Sequence, residues 1–298
     1  MRDWLRLWRE RGWTPIEPAD YAAAWQRFGG SVATHPQIIE RLSQLAGIRT
    51  RYLGWFAGNE LVGAIATWGG HLALSKKVLK QRGQRGLFDL GNAEIILPLA
   101  PEARLRLRHR ASYVSELNQP QLIGLREQRE GLALARAPED YSKKFRYNQR
   151  REQRLLEEAG GRIRPMADLT PAEQAAIYAD LFQRRWGFAA TGEAHLTEVF
   201  GLLREFMCGS LIYLEDAPVA IQILYRVESP QWVSVEYING GVDPQSREFS
   251  PGSVLSFINT QAAWEEARAL GKPLRYSFGR ADREYKDRWC HRHPSYQV

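Results

Sequence analysis

The chain has 298 residues, enough for one large domain or two of moderate size. Its 44% hydrophobic and 25% charged content is that of a soluble globular protein; no apolar run is long enough to cross a bilayer and no secretory pattern opens the sequence, so the expected compartment is the cytoplasm. Two cysteines, Cys208 and Cys290, give no disulfide framework, and a net charge of +7 favours an anionic partner: a nucleotide cofactor, a nucleic acid or an anionic lipid surface.

In MRDWLRLWRERGW, helical spacing puts Trp4, Leu5 and Trp8 on one face with Arg2, Arg6 and Arg9 interleaved. That is the make-up of a membrane-surface anchor, and equally of an arm packed on the protein's own core. PADYAAAWQRF reads as a helix starting near Asp20 and broken at Phe28-Gly29-Gly30-Ser31, and PQIIERLSQLAG as a second helix closed by Gly47. IRTRYLGWFA and LVGAIATWG, joined by Gly58-Asn59-Glu60, read as a hairpin. KKVLKQRGQRG is a basic loop or short helix, and FDLGNAEIILPL carries a strand ending at Pro98. RLRLRHR, as a strand, sets Leu105 and Leu107 opposite its arginines. A helix is expected between Ser115 and Arg129, and LALARA as a strand closing the first half.

The second half opens on PEDYSKKFRYNQRREQRLLEEAGG, a helix with Lys143, Tyr147, Arg150, Arg151 and Arg154 on one face, ended by Gly160-Gly161. Such a stripe is either a solvated face or an anion-binding surface. GRIRPM is a strand, and Thr170, Pro171 and Glu173 start the next helix. A further helix is expected from Glu193 to about Met207. SLIYLE and AIQILYRVE, turning at DAP, form a hairpin into the strand WVSVEYING. A Gly-rich turn, GGVDPQSRE, then leads to FSPGSVLSFINTQAAWEEARAL, a helix with Ser250 as N-cap, Pro251 at its first position and Gly271 at its end. The first amides of such a helix lack carbonyl partners, and Gly252 allows close approach, so this start suits a phosphate or carboxylate. The strand LRYSFGR and the segment YKDRW follow.

The series SPG loop, helix, strand and terminal YK..W is similar to the acyltransferases of the GNAT superfamily that act on polysaccharides and cell envelopes, the FemAB type among them. FGGSVATHP (28–36), EIILPL (94–99), NGGVD (239–243) and SPGSVL (250–255) resemble the Mig-fourteen family, macrophage-inducible proteins linked to antimicrobial-peptide resistance. YLGWFAGNELVGAIATW in the first half echoes LIYLEDAPVAIQILYRV in the second. With the resemblance, the echo implies an α/β fold of two tandem GNAT-like units with mixed sheets flanked by helices. They span 1–137, a degenerate copy, and 138–298, which carries the SPG loop. The basic helix from Lys143 also has a counterpart in the resembling enzymes.

The resemblance implies acyl transfer from an acyl-CoA to an amine, which requires donor phosphates to be held, the amine to lose a proton and the thiolate to be stabilised. The expected phosphate site is the amides around Ser250, Gly252, Ser253 and Val254, with Arg247 nearby. Alternation sets Trp232, Ser234 and Glu236 on one strand face, and a desolvated Glu236 with a raised pKa suits a base. Asp243 is the alternative base, Tyr285 the acid, and Lys286 a carboxylate or phosphate ligand. Cys290-His291-Arg292-His293 is a single cluster with no second pair, and no metal site is assigned to it. Two other readings stay open: a catalytically inactive binding or scaffold protein, and a FemAB-like aminoacyl transferase using charged tRNA, whose phosphates the basic stripe would meet. In the leading reading the acceptor belongs to the cell envelope or is a peptide. The protein then rests peripherally on the anionic inner membrane through its N-terminal stretch.

Overall fold

The computed structural model describes residues 2–298. Helix α1 (Arg2–Arg9) precedes α2 (Pro18–Phe28), which starts two residues before Asp20 because Pro18 fits a first turn and Asp20 accepts from the Glu17 amide at 3.2 Å. After α3 (Pro36–Leu45), strands β1 (Arg51–Ala57) and β2 (Glu60–Trp68) form the expected antiparallel hairpin. It is widened to four strands by Thr14–Pro15 and His71–Leu72. A short helix, α4 (Lys76–Gln81), occupies the basic stretch.

Two expectations for this half do not hold. Residues 94–99 form no strand, only the isolated bridges Ile95–Val114 and Gly63–Leu99. Their amides are taken by side chains instead: Glu94 N–H donates to Glu236 at 2.8 Å, Ile96 N–H to Ser31 at 3.2 Å and Leu97 N–H to Asn118 at 2.7 Å. Between Ser115 and Arg129 there is one 3₁₀ segment, Glu116–Gln121, which contains Pro120. Leu105 and Leu107 are buried and their neighbouring arginines face outward, although only Leu105–Arg106 pairs as a strand.

The strand β3 (Leu132–Ala135) does not close the first half; it joins the sheet of the second. That sheet runs β4 (Gly161–Pro165), β5 (Ser210–Leu214), β6 (Ala217–Glu228), β7 (Val233–Val242), β8 (Leu274–Arg280), β3, β9 (Cys290–His293), with Met207–Cys208 added on β6. Only β7 and β8 are parallel. α5 (Lys143–Glu158) begins at Ser142, whose hydroxyl accepts from the Phe145 amide at 3.1 Å, and α6 (Pro171–Trp186) begins with the expected Thr170/Glu173 capping box. The helix expected from Glu193 is a 3₁₀ turn, then α7 (Leu196–Leu202), then a second 3₁₀ turn at Arg204–Phe206. The last helix, α8 (Pro251–Ala269), is followed by Gly271 at φ 66°, the left-handed position that ends it.

Alternate residues of β6 serve two cores. Ile221, Ile223, Tyr225 and Val227 pack with α6, α7 and the first half's Tyr21, Trp25, Ile38 and Leu42. On the other face Ala220 packs with Val254 and Leu255, and Leu224 with Phe257, all of α8. The larger core therefore spans both halves of the chain. Gly240 and Gly241, expected in a turn, lie within β7. A Cβ at Gly241 would sit 2.6 Å from that of Leu181, so the glycine lets α6 lie against the strand.

Candidate active site

β7 and β8 pair from Val233/Leu274 to Glu236/Ser277 and then part. Just past that point β7 bulges: Leu224 faces Tyr237 and Ile223 faces Asn239, leaving Ile238 as the extra residue. On the α8 face a cavity of about 390 Å³ opens there. It is lined by Tyr237, Gly240 and Val242 of β7, by Arg247, Ser250, Gly252 and Ser253 at the entry to α8, and by Arg185, Tyr285 and Trp289. Its floor is held by a buried chain: Asn259 donates to Gln222 at 2.9 Å, Gln222 to Ser256 at 2.8 Å, and Ser256 to the Gly252 carbonyl at 3.0 Å.

The start of α8 differs in detail from the expectation. Ser250 is left-handed at φ 48°, and its hydroxyl caps nothing. Its carbonyl instead accepts from the Ser253 amide at 2.9 Å and the Val254 amide at 3.0 Å. Pro251 has no N–H, so the Gly252 amide is the one left without a partner at the helix start among the described residues. Val254 is fully buried in the core under α8 and does not line the cavity. A Cβ at Gly252 would approach Val242 Cγ2 to 2.9 Å, within the space the cavity occupies. Arg247 and Arg185 stand at the cavity without an ion-pair partner among the described residues; Arg185 lies over the Trp186 ring.

Tyr285 is half exposed at the cavity wall. Desolvation raises its hydroxyl pKa above the ordinary value, against the opposing charge of Arg185, so it keeps its proton at neutral pH. Asp243 sits between two cavity residues, Val242 and Pro244, accepts from the Gln245 amide at 3.0 Å and lies 3.7 Å from Arg184. Lys286 is turned away. Its ammonium donates to the Phe278 carbonyl at 2.9 Å, the Arg280 carbonyl at 2.6 Å and Asp282 at 3.4 Å. With all three donors used, it pins the end of β8 rather than offering a hand to a phosphate.

Glu236 lies on the opposite face of β7, 1% exposed. It accepts the Glu94 amide, and Glu94, fully buried, is ion-paired with Arg275 and accepts from Ser115 at 2.6 Å. Arg275 also reaches Glu116 at 3.4 Å, and Glu116 meets His293 at 2.7 Å. Burial first, then the neighbouring Glu94 charge, raises the Glu236 pKa well above the usual carboxylate range, with the Ser277 hydroxyl opposing. The raised pKa was expected; the seclusion was not, and Glu236 is not among the residues lining the cavity. Glu94 and Arg275 carried no role in the sequence, where they stand 181 residues apart.

Along α5, Lys143, Tyr147, Arg150, Arg151 and Arg154 are all exposed, and of these only Arg154 has an ion partner among the described residues, Glu158 at 3.5 Å. α5 packs on α8 and on the turn at 244–249, and the stripe is on its solvent-facing side. In α1, Trp4 is 68% exposed and Trp8 52%, which rules out an arm buried in the core; the side chain of Arg2 lies outside the described residues. Cys290 is buried, His291 meets Asp140 at 3.2 Å, and His293 is held by Glu116, so the C-terminal cluster is dispersed. Among the described residues, no helix is long and apolar enough to cross a membrane.

A family model described as Mig-14 matches residues 35–298. No curated protein matches the chain. Among solved structures, a crystal structure of FemX superposes with a TM-score of 0.55 at 10% identity, over 96% of each chain. A tandem GNAT protein from the clavulanic acid biosynthesis pathway gives 0.47 at 9% identity, over 96% of this chain and 97% of that one. The C-terminal domain of a putative lysylphosphatidylglycerol synthetase from Agrobacterium fabrum gives 0.47 at 11%, over 94% and 92%. The FemX likeness fixes the fold: mixed α/β, of the FemX type.

Proposed function

The chain belongs to the Mig-14 family, and from that premise we propose that it is an N-acyltransferase taking an acyl-CoA at the cavity beside α8. One observation carries this reading: the cavity at the parting of β7 and β8 combines an unpartnered Gly252 amide with two unpaired arginines, Arg185 and Arg247. Those groups suit the donor's pyrophosphate, with the hydroxyls of Ser250 and Ser253 beside them. The acceptor is an amine on an envelope component or a peptide, and the biological output is resistance to cationic antimicrobial peptides. The chain is read as two units meeting near residue 137, with β3 exchanged into the second. It works at the cytoplasmic side of the inner membrane, where α1 rests peripherally.

In the reaction the amine nitrogen attacks the thioester carbonyl, the carbon–sulfur bond breaks, and the leaving thiolate takes the Tyr285 proton. Tyr285 is then reprotonated from solvent. Since Glu236 is secluded, the amine proton goes to the Asp243 carboxylate, which sits between the cavity residues Val242 and Pro244. A second reading, aminoacyl transfer from charged tRNA, is favoured by the exposed basic face of α5.

The test is turnover of acyl-CoA with amine acceptors, following thiol release. Tyr285→Phe should lower kcat about 100-fold with KM little changed, the size of a lost general acid. An unchanged kcat removes the acid assignment, and no thiol release with any amine removes the enzyme reading.

A further inference from the structure

A second cavity, of about 450 Å³, lies in the first half against the C-terminal segment. Its wall is apolar, formed by Leu72, Ala73, Leu74, Phe88 and Leu90 among others, and its rim carries Lys76, Lys77 and Arg110. Lys76 is neutralised by Asp89 at 2.7 Å; Lys77 and Arg110 are exposed and have no ion partner among the described residues. The volume is that of a small-molecule site. An adjoining groove shares Lys76, Lys77 and Phe88 and adds Lys80 and Arg85, so the cationic rim continues outward. His71, which lines the cavity, has a buried Nε2 with no partner.

Two neighbours give this cavity direction. On its inner side the wall segment 88–93 backs onto the point where the two strands part. A Cβ at Gly91 would stand 3.6 Å from Ile238 Cα, and one at Gly279 would stand 3.6 Å from the Asn92 carbonyl. The donor cavity opens on the other face of that same parting. On its outer side lies the end of α1: the Arg9 guanidinium covers Gly70, beside His71, and Arg110 bonds through its amide to the Gly70 carbonyl at 2.9 Å. Arg9 ends a helix whose Trp4, Leu5, Leu7 and Trp8 are exposed.

We propose that this cavity holds the acceptor, and that the acceptor is an amine-bearing phospholipid drawn from the bilayer surface on which α1 lies. This rests on the acyltransfer reading and deepens it. The apolar wall takes acyl-chain carbons, Lys77 and Arg110 take the phosphate, and the headgroup amine is aimed at the parted strands. There a bond forms between its nitrogen and the donor's acyl carbon as the carbon–sulfur bond breaks; the amine proton leaves to the Asp243 carboxylate and the thiolate is protonated. Charge complementarity and the neighbouring Trp/Leu helix together select a lipid over a soluble phosphate.

The experiment needs no donor, so it succeeds or fails independently of the reaction. The whole protein is titrated with monomeric dihexanoyl-phosphatidylethanolamine, with phosphoethanolamine, with inorganic phosphate and with dihexanoylglycerol. The lipid should bind saturably and more tightly than any of the other three. Lys77→Gln with Arg110→Gln, both exposed positions, should weaken it by about tenfold for each charge removed from the phosphate, and Ala73→Trp, which fills the wall, should abolish it. The assignment is overturned if the lipid does not saturate, if phosphoethanolamine or phosphate binds as well as the lipid, or if the double variant, folded by circular dichroism, binds unchanged. Lipid binding without acyl transfer would support the cavity and contradict the reaction instead.

Discussion

The two faces of β7 carry opposite kinds of polar site. Towards α8, Tyr237, Gly240 and Val242 line an open cavity whose polar groups, the Gly252 amide, Arg185 and Arg247, lack partners. Towards the first half, Glu236 sits in a closed cluster in which Glu94, Arg275, Ser115 and Glu116 are bonded to one another. The most strongly shifted carboxylate belongs to the closed face. A shifted pKa therefore marks burial here, and unmet hydrogen-bonding capacity marks the proposed site. The closed cluster joins the halves, since Glu94 comes from one and Glu236 and Arg275 from the other.

The comparison can be broken most forcefully at Arg275. Replacing it with Met strands the fully buried Glu94 without its counter-charge, which costs about 3–5 kcal/mol. Urea unfolding should show that loss, while the remaining folded protein binds donor as before. A small loss would mean that the cluster is hydrated and not closed.

Glu236 gives a finer test through pH. Its folded pKa is raised above the unfolded one, so the fold favours its protonated form. The stability it contributes is fully present below the ordinary carboxylate value and is lost as pH rises towards the raised folded value. Within that window the slope is about 1.4 kcal/mol per pH unit. Glu236→Gln, a neutral mimic, should remove this part of the slope in unfolding measurements from pH 5 to 8 and leave turnover intact. Lost turnover with a native fold would restore Glu236 as the base.

Features set by neighbouring residues were legible in the sequence. The Thr170/Glu173 box, Pro251 at the start of α8, Gly271 at its end and the exposed basic face of α5 all follow from local chemistry. A cavity opens at the SPG loop, where the donor is proposed to bind. What could not be read depends on distant partners. Residues 94–99 look like a strand, yet Ser31, Asn118 and Glu236 take their amides. The Leu132–Ala135 strand is a good strand whose partners lie in the other half. Glu236 and Lys286, expected as base and anion ligand, are both buried and bonded within the protein, because alternation assigns a residue to a face without saying what covers it. The left-handed turn at Ser250, which spends its carbonyl on two amides and leaves Gly252 open, has no signal in SPG alone.

The central claim is that the open face of β7 receives an acyl-CoA, and calorimetric titration of the purified protein with acyl-CoA tests it most directly. The account predicts saturable heat that Gly252→Val diminishes about tenfold or more in affinity, through the crowding at Val242, with the far-ultraviolet spectrum unchanged. The contrary result is no heat with any acyl-CoA while charged tRNA binds, with affinity falling steeply with salt and lost on charge removal at Arg150 and Arg151. That would move the donor from the cavity to the face of α5.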